Sequence, residues 1–250
     1  MSLERIWPTK ENLLNYLKDY PEHQLRYDLI STHVSGLHCA DVSCGVGYGS
    51  YLIGQSAKSV KGFDISEEAL EHANKHFTDK NVSFNHLKEL KNQQFEFISS
   101  VETLEHMSES DGDEFLKMLR NAMLPDSVLF ITTPLNNSSF KENVTEFHIR
   151  EYSDKEFREK LTNNGFCIEK IFGISNITSQ RMSHKVMGIS ILNIFKTKIH
   201  RLIPKSLRKI IARWLLKKDS SEVSLSCRIH EDSLEGAFCQ MAICKPLKIK

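Results

Sequence analysis

The stretch DVSCGVGYG at residues 41–49 decides the fold of this 250-residue chain. It continues the short apolar run LHCADV (37–42), which predicts a buried strand. The segment GYGSYLIGQSA (47–57) then predicts a helix. Glycines between a strand and a helix let the backbone turn sharply and approach a ligand closely. We therefore expect a ligand to bind where this loop joins the strand to the helix.

Strands and helices alternate along the rest of the chain. Ser66 predicts the cap of one helix, and a capping box of Ser153 and Glu156 begins another that ends at Gly165. Such alternation predicts an α/β fold with a doubly wound, mostly parallel sheet, in which ligands bind beyond the carboxyl ends of the strands. The predicted strands are 37–42, 59–65, 82–87, 95–101, 127–133, 166–172 and 237–245.

The spacing of the glycine loop distinguishes two kinds of nucleotide-binding protein. A dinucleotide fingerprint requires glycine or alanine at position 50, where this chain has serine. The loop instead resembles the first motif of class I S-adenosylmethionine (SAM)-dependent methyltransferases. FEFISSVETLEHM (95–107) and MLPDSVLFITTP (123–134) resemble the fourth-strand and fifth-strand motifs of the same family. The resemblance covers about residues 37–172.

This resemblance implies a Rossmann-like methyltransferase fold with a seven-stranded sheet in a single domain over residues 1–250. We expect an N-terminal helical lid at 1–36 and a SAM-binding core at 37–173. A basic helical insertion is expected at 174–220, before the last strand in 221–250. Relatives usually pass directly from the sixth strand to the seventh, so the insertion is an addition to the common fold.

The resemblance also implies which residues bind SAM. Asp64 ends the second predicted strand, where a carboxylate can accept hydrogen bonds from both ribose hydroxyls. Many relatives place another acid after the third strand to bind the adenine amine, but residues 84–88 contain none. The residues expected to bind the cofactor are Asp41, Ser43, Gly45, Gly47, Asp64, Ile65 and Val101.

An acid–histidine set follows the fourth predicted strand. Glu102, Glu105 and His106 form E-x-x-E-H, and His148 lies in a later element, FHIREY (147–152). As catalytic residues, His106 or His148 would be the general base, with Glu102 beside them. As metal ligands, Glu102, Glu105, His106 and His148 would hold Mg²⁺ or another divalent ion. A third interpretation is that Glu105 and His106 only cap a helix.

Three groups of methyltransferases share parts of this set. E-x-x-E-H resembles the metal-binding motif of quinone O-methyltransferases and, with a later histidine, that of small-RNA 2′-O-methyltransferases. F-H-x-R-E-[YF] resembles an element of bacterial sugar and surface-glycan methyltransferases, as does EHQLRY (22–27), which would be a lid over SAM. We therefore expect methyl transfer to a sugar or glycan hydroxyl, free or lipid-linked. The RNA enzyme, the quinone enzyme and a SAM-binding scaffold without turnover are the alternatives.

The net charge of +1 conceals a strong asymmetry. Residues 170–218 hold 12 of the 33 basic residues and no acid, so the remainder carries a net charge of −11. Within this segment, residues 196–218 alternate apolar and basic positions at helical spacing, with Trp214 among them. Such a helix can lie on an anionic membrane surface or pack as a lid. Nucleic acid is the least favoured partner because few side chains there can stack on bases.

Composition favours an intracellular protein. The chain is 40% apolar and 26% charged, with no long apolar stretch to span a membrane. Its first residues, MSLERIWPTK, contain no apolar core of a secretion signal. Six cysteines form no C-x-x-C pair, which favours a reducing compartment. We expect a cytoplasmic protein, with peripheral contact at the inner face of the membrane if residues 196–218 dock there.

Overall fold

The computed structural model describes residues 7–136, 148–177 and 226–247. The helices in these ranges are Leu13–Asp19 (α1), Pro21–Ser31 (α2), Tyr48–Gly54 (α3), Glu67–Phe77 (α4), Glu109–Asn121 (α5) and Asp154–Asn163 (α6). The strands are His38–Val42 (β1), Ser59–Asp64 (β2), Val82–His86 (β3), Phe95–Ser100 (β4), Met123–Pro134 (β5), Phe166–Ile177 (β6), Ser226–Glu231 (β7) and Cys239–Pro246 (β8). Short 3₁₀ turns occupy Leu87–Leu90 and Leu104–His106.

The strands form one mixed sheet in the order β3-β2-β1-β4-β5-β8-β6-β7. Pairing is parallel from β3 through β5, whereas β8 runs antiparallel to both β5 and β6. This arrangement confirms the predicted Rossmann-like, mostly parallel fold. The carboxyl ends of β1, β2, β4 and β5 therefore meet at one edge of the sheet.

The number of strands was predicted wrongly: the described sheet has eight rather than seven. The additional strand is β7, which lies at the edge beside β6. Its sequence, SCRIHE, alternates polar residues with Cys227 and Ile229, and those two side chains pack against the core. The strand is too short and too polar to stand out as a buried run.

The boundary at residue 174 that we predicted for the start of the insertion is wrong. We placed its start at residue 174, but β6 continues to Ile177. Ile174 is fully buried and pairs with Cys239 of β8, so the last part of β6 belongs to the sheet. The amphipathic stretch 196–218 lies outside the described residues. Within the described ranges, no helix combines the length and the apolar character that crossing a bilayer requires.

Helices cover both faces of the sheet. Ile30, Ile53 and Phe77, from α2, α3 and α4, belong to one buried cluster. Leu116 and Phe157, from α5 and α6, belong to the other. Successive strand residues point to opposite faces, so buried strands supply both clusters at once. This double covering explains why the central strands are nearly continuous apolar runs.

Helix ends follow the predicted capping signals. The Ser66 hydroxyl accepts a hydrogen bond from the backbone N–H of Ala69 at the start of α4. Ser153 and Glu156 form the predicted capping box at the start of α6. A side-chain cap of this type stabilises a helix by about 1 kcal/mol. These caps fix where α4 and α6 begin, close to the ends of the preceding strand and loop.

Gly47 provides a test of how tightly the glycine loop is packed. Its φ is +89°, and a Cβ atom there would lie 2.6 Å from the Cβ of Ala73 and 2.8 Å from the ring of Phe84. We expect Gly47→Ala to lower the free energy of unfolding by about 3 kcal/mol, through backbone strain and overpacking together. Gly236→Ala is the matched control, because Gly236 has φ +68° and a Cβ added there would meet no atom within 4 Å in the ranges that the structure describes.

In Gly236→Ala, backbone strain alone should lower the free energy of unfolding by about 1 kcal/mol. Urea denaturation of both variants and the wild type measures the difference. Equal losses in the two variants would contradict the close packing of Gly47.

Candidate active site

The loop after β1 turns through three residues with left-handed backbone conformations. Ser43 has φ 64°, Gly45 φ 55° and Gly47 φ 89°. The N–H of Cys44 donates to the carbonyl of Phe63 in β2, at 3.0 Å. A Cβ on Gly45 would meet no atom of the described residues within 4 Å. Gly45 therefore faces open space, whereas Gly47 faces packed side chains.

Asp64 fastens this loop to the end of β2. Its Oδ2 accepts a hydrogen bond from the N–H of Gly45 at 2.7 Å, and its Oδ1 accepts one from the N–H of Ser66 at 2.9 Å. Each carboxylate oxygen has a second lone pair, so two acceptor directions remain. The next residue, Ile65, is 72% exposed although its side chain is apolar. The pair offers hydrogen-bond acceptors beside an apolar surface, which suits a ribose and an adenine ring.

Asp41 is buried beneath the loop. Its carboxylate accepts hydrogen bonds from the hydroxyls of Ser50 in α3 and Ser99 in β4, each at 2.7 Å. Burial raises the pKa of Asp41, and the two hydroxyls counteract part of that rise. This is the geometry of a residue that orders the loop. The serine at position 50, which departs from the dinucleotide fingerprint, is therefore the hydroxyl that ties α3 to Asp41.

Glu102 follows β4 after the half-buried Val101, and its backbone is left-handed, with φ 49°. Its N–H donates to the hydroxyl of Thr132 at 3.0 Å, and that hydroxyl donates back to Glu102 Oε1 at 2.7 Å. Its Oε2 lies 3.6 Å from Arg26 Nη2. Both carboxylate oxygens thus have partners from other elements.

Arg26 belongs to EHQLRY (22–27), the predicted lid element, and its surroundings make it a functional candidate. It lies on α2, is 3% exposed, and its Nε has no hydrogen-bond partner among the described residues. Burial alone would lower the pKa of Arg26, but Glu102, Cys239 and Tyr48 together raise it, and the Glu102 carboxylate contributes the most of these three. The sequence signal that could have identified Arg26 as buried is helical spacing, because Arg26 lies on the buried face of α2 with Tyr27 and Ile30.

Of the four residues in the predicted acid–histidine set, the structure brings Glu105, His106 and His148 together. One potential ligand atom of each lies within 4.8 Å of the others, and the two imidazole centroids are 5.2 Å apart. Glu105 is fully buried, and its Oε1, 3.9 Å from His106 Nε2, makes no hydrogen bond within the described structure. Burial raises the pKa of Glu105 the most, and the negative charge of Glu102 raises it further. Among the described residues Glu102 is not part of this group.

The sheet brings this acid–histidine cluster (Glu105, His106 and His148) close to the glycine loop. Asp41 of β1 pairs with Ser99 of β4. The loop that follows β1 and the turn that follows β4 are therefore neighbours. The glycine loop and the acid–histidine cluster thus lie at the same edge of the sheet, and the imidazole and carboxylate groups of the cluster can accept a proton or hold a cation.

The fold and the glycine loop define the Rossmann-like methyltransferase class of α/β proteins. A family model described as a methyltransferase domain matches residues 16–171, which is more than half of the chain, so the chain belongs to this methyltransferase family. The matched range runs from α1 to the middle of β6. The match includes every predicted SAM-binding residue and the acid–histidine cluster.

Curated relatives agree with this family. A Mycolicibacterium smegmatis protein named "Probable S-adenosylmethionine-dependent methyltransferase" is 25% identical over 161 residues, 62% of each chain. An Actinobacillus pleuropneumoniae ubiquinone biosynthesis O-methyltransferase is 30% identical over 123 residues, 44% of this chain and 52% of the relative. The chain thus spans only about half to three fifths of the length of these relatives.

Solved structures show the same fold. A SAM-dependent methyltransferase from Thermotoga maritima superposes with a TM-score of 0.60 at 15% identity, covering 95% of each chain. The complex of DhpI with S-adenosylhomocysteine (SAH) gives a TM-score of 0.55 at 15% identity, covering 94% of this chain and 88% of DhpI. At these identities the likeness concerns the fold alone.

His23 lies in an aromatic group between α2 and the start of α3. Its Nδ1 is 2.5 Å from the hydroxyl of Tyr48, and its ring centroid is 5.5 Å from that of Tyr16. Burial, with a smaller contribution from the charge of Arg26, lowers the pKa of His23 to about 3. The unfolded chain therefore binds a proton at His23 at a higher pH than the folded chain does.

This difference predicts an acid-dependent loss of stability. The contribution of His23 is present above the usual histidine pKa of about 6.5 and is lost as pH falls toward 3. Between pH 7.5 and pH 4.5, His23→Gln should lose less free energy of unfolding than the wild type. Urea titrations at the two pH values measure this, with His38→Gln at the exposed start of β1 as the matched control. Parallel losses in all three proteins would contradict the burial of His23.

Proposed function

We propose that this protein transfers the methyl group of SAM to a hydroxyl oxygen of an acceptor. One observation carries the proposal: the open side of the glycine loop at Gly45 and the acid–histidine cluster lie at the same edge of the sheet. The first is a place for the methyl donor, and the second is a place where an acceptor can lose a proton. Family membership and the SAM-dependent relatives support the choice of donor.

The residues around the loop fit SAM group by group. Asp64 has acceptor directions left for the ribose hydroxyls, and the exposed Ile65 offers an apolar surface to adenine. Gly45 leaves room for the methionine part because no atom in the described part of the chain lies within 4 Å of its missing Cβ. Arg26 supplies a buried cation whose Nε–H has no hydrogen-bond partner among the described residues, and the methionine carboxylate is the group of SAM with the matching charge.

The transfer is a direct displacement. The acceptor oxygen forms a bond to the methyl carbon while the bond from that carbon to sulfur breaks, leaving SAH. Alignment of the three reacting atoms supplies much of the rate enhancement. The hydroxyl proton passes to an imidazole of the acid–histidine cluster, which acts as general base. His106 is the more exposed of the two imidazoles and so the more accessible to an acceptor.

The resemblance to metal-binding relatives gives the acid–histidine cluster a second role. The orphaned, buried Glu105 Oε1 and the two nearby imidazoles fit a divalent ion with three protein ligands, whereas Glu102 is already bound to Arg26 and Thr132. Bound there, such an ion would lower the pKa of the acceptor hydroxyl. A chelator should abolish activity if the cluster holds a metal ion, and it should leave activity unchanged if an imidazole is the general base.

The acceptor we propose is a sugar or glycan hydroxyl, free or lipid-linked. The F-H-x-R-E-Y element, which contributes His148 to the acid–histidine cluster, supports it through its resemblance to glycan methyltransferases. A phenolic hydroxyl of a quinone precursor is the second candidate. The ubiquinone biosynthesis O-methyltransferases among the relatives favour that acceptor.

Binding of SAM is tested at Gly45. We expect Gly45→Ala to weaken SAM affinity at least tenfold, because the added methyl group would enter the space proposed for the cofactor. Gly36→Ala is the matched control: Gly36 also has a positive φ, at +76°, and nothing within 4 Å of its missing Cβ. Both variants carry similar backbone strain, so only the cofactor distinguishes them. Equal affinities in a calorimetric titration would contradict the placement of SAM.

Transfer is tested with methyl-labelled SAM, a panel of sugars and glycans, and a panel of catechol-type quinone precursors. Label should appear on a hydroxyl of the sugar panel, and His106→Ala and His148→Ala should each lower the rate about 100-fold or more. His38→Ala, at the opposite end of β1, is the control and should leave the rate unchanged.

Each alternative has its own result in this assay. Label only on the catechols would replace the proposed acceptor with the second candidate. Loss of activity with a chelator and recovery with Mg²⁺ or Mn²⁺ would assign the acid–histidine cluster to the metal role. SAM binding without transfer to either panel or to fractionated cell extract would contradict the proposed function.

A further inference from the structure

Arg150 connects two helices to the segment that carries His148. Its Nη1 pairs with Glu109 at the start of α5, and its Nη2 lies 3.0 Å from Glu156 Oε1 in α6. The guanidinium carbon also lies 5.0 Å from the centre of the Tyr152 ring. One side chain therefore joins two carboxylates from separate helices and packs over an aromatic ring.

The backbone around Arg150 is bonded to the turn that carries His106. The N–H groups of Ile149 and Arg150 both donate to the carbonyl of Glu105, at 2.8 and 3.0 Å. His148 precedes these two residues, and its Nδ1 is 2.9 Å from Glu151 Oε1. The position of His148 opposite His106 thus depends on a short segment held by two hydrogen bonds to one carbonyl oxygen.

Both carboxylate partners of Arg150 are fixed by other bonds. Glu156 Oε2 accepts from the N–H and the hydroxyl of Ser153, at 2.9 and 2.7 Å, in the capping box of α6. Glu109 Oε1 is 3.0 Å from Nζ of Lys160, a lysine that is 5% exposed. The anchors would remain in place without Arg150, so the freedom gained on its loss would fall on the His148 segment.

The ion pairs of Arg150 are partly exposed, since the side chains of Arg150, Glu109 and Glu156 are 35%, 58% and 43% accessible. Pairs of this kind contribute little to global stability. Their effect is local, because they hold one segment rather than the core. The planar guanidinium also reaches two carboxylates with two separate nitrogens, which a lysine ammonium cannot reproduce.

We infer that Arg150 is a positioning residue that holds His148 against His106, and that it acts on the reaction only through this histidine pair. The inference rests on the proposed function, in which the acid–histidine cluster faces the acceptor. It adds a residue outside the SAM site, since the described contacts of Arg150 include none with Gly45, Asp64 or Ile65.

Arg150→Gln and Arg150→Lys test the inference in the full-length protein. We expect Arg150→Gln to lower kcat about tenfold while SAM affinity and the thermal midpoint stay within error of the wild type. Arg150→Lys should recover part of kcat, since it keeps the charge but reaches one carboxylate. Arg158→Gln is the matched control: Arg158 pairs with Asp154 at 2.6 Å within α6, away from His148.

Hydrogen exchange gives a readout that does not require activity. In Arg150→Gln, the backbone amides of residues 149 and 150 should exchange with solvent about tenfold faster than in the wild type. The exchange rates of the core strands should not change. Unchanged exchange at residues 149 and 150, unchanged kcat, or a general fall in the thermal midpoint would overturn the inference. If the wild type transfers no methyl group, the proposed function fails, and exchange alone still decides whether Arg150 holds the segment.

Discussion

The structure of the site depends on the carboxylate of Asp64. It accepts hydrogen bonds from Gly45 in the glycine loop and from Ser66 at the start of α4. Hydrogen bonds to a charged group contribute about 1.5–3 kcal/mol each, more than neutral ones. They form because β1 and β2 are parallel and in register, with Val42 opposite Phe63. One side chain therefore sets the loop conformation, the start of α4 and the acceptor atoms beside the open space.

Two further acids have comparable architectural roles. Asp41 joins α3 to β4 through two serine hydroxyls, and Glu102 joins the end of β4 to β5 and to Arg26 of α2. Each of these carboxylates lies at or just beyond a strand end, where the sequence indicated a ligand. The oxygens of Asp41 and Glu102 thus interact with other groups of the protein. Among the described residues, Glu105 is different, because its Oε1, beside the two histidines, makes no hydrogen bond. At this edge of the sheet, Asp41 and Glu102 hold protein elements together, and Glu105 is the acid to which we assign a chemical role.

The sequence predicted the features that depend on local patterns. Apolar strands and the caps at Ser66 and Ser153 are read from neighbouring residues, and they were correct. The strand β7 was missed because an edge strand with few apolar residues has a weak pattern. The partnership of Glu102 with Arg26 was not predicted, because it joins residues 76 positions apart whose spacing carries no signal. The prediction that Glu102 joins Glu105, His106 and His148 as a metal ligand assumed helical spacing, whereas the segment is a short 3₁₀ turn with Glu102 outside it.

The most direct test of the central claim is a crystal structure of the protein with SAH. We predict ribose hydroxyls within hydrogen-bond distance of Asp64, adenine against Ile65, and the methionine part over Gly45. The sulfur, from which the methyl group has left, should point toward His106 and His148. Density for SAH at another edge of the sheet, or a ribose without contact to Asp64, would contradict the assignment of the glycine loop to the cofactor.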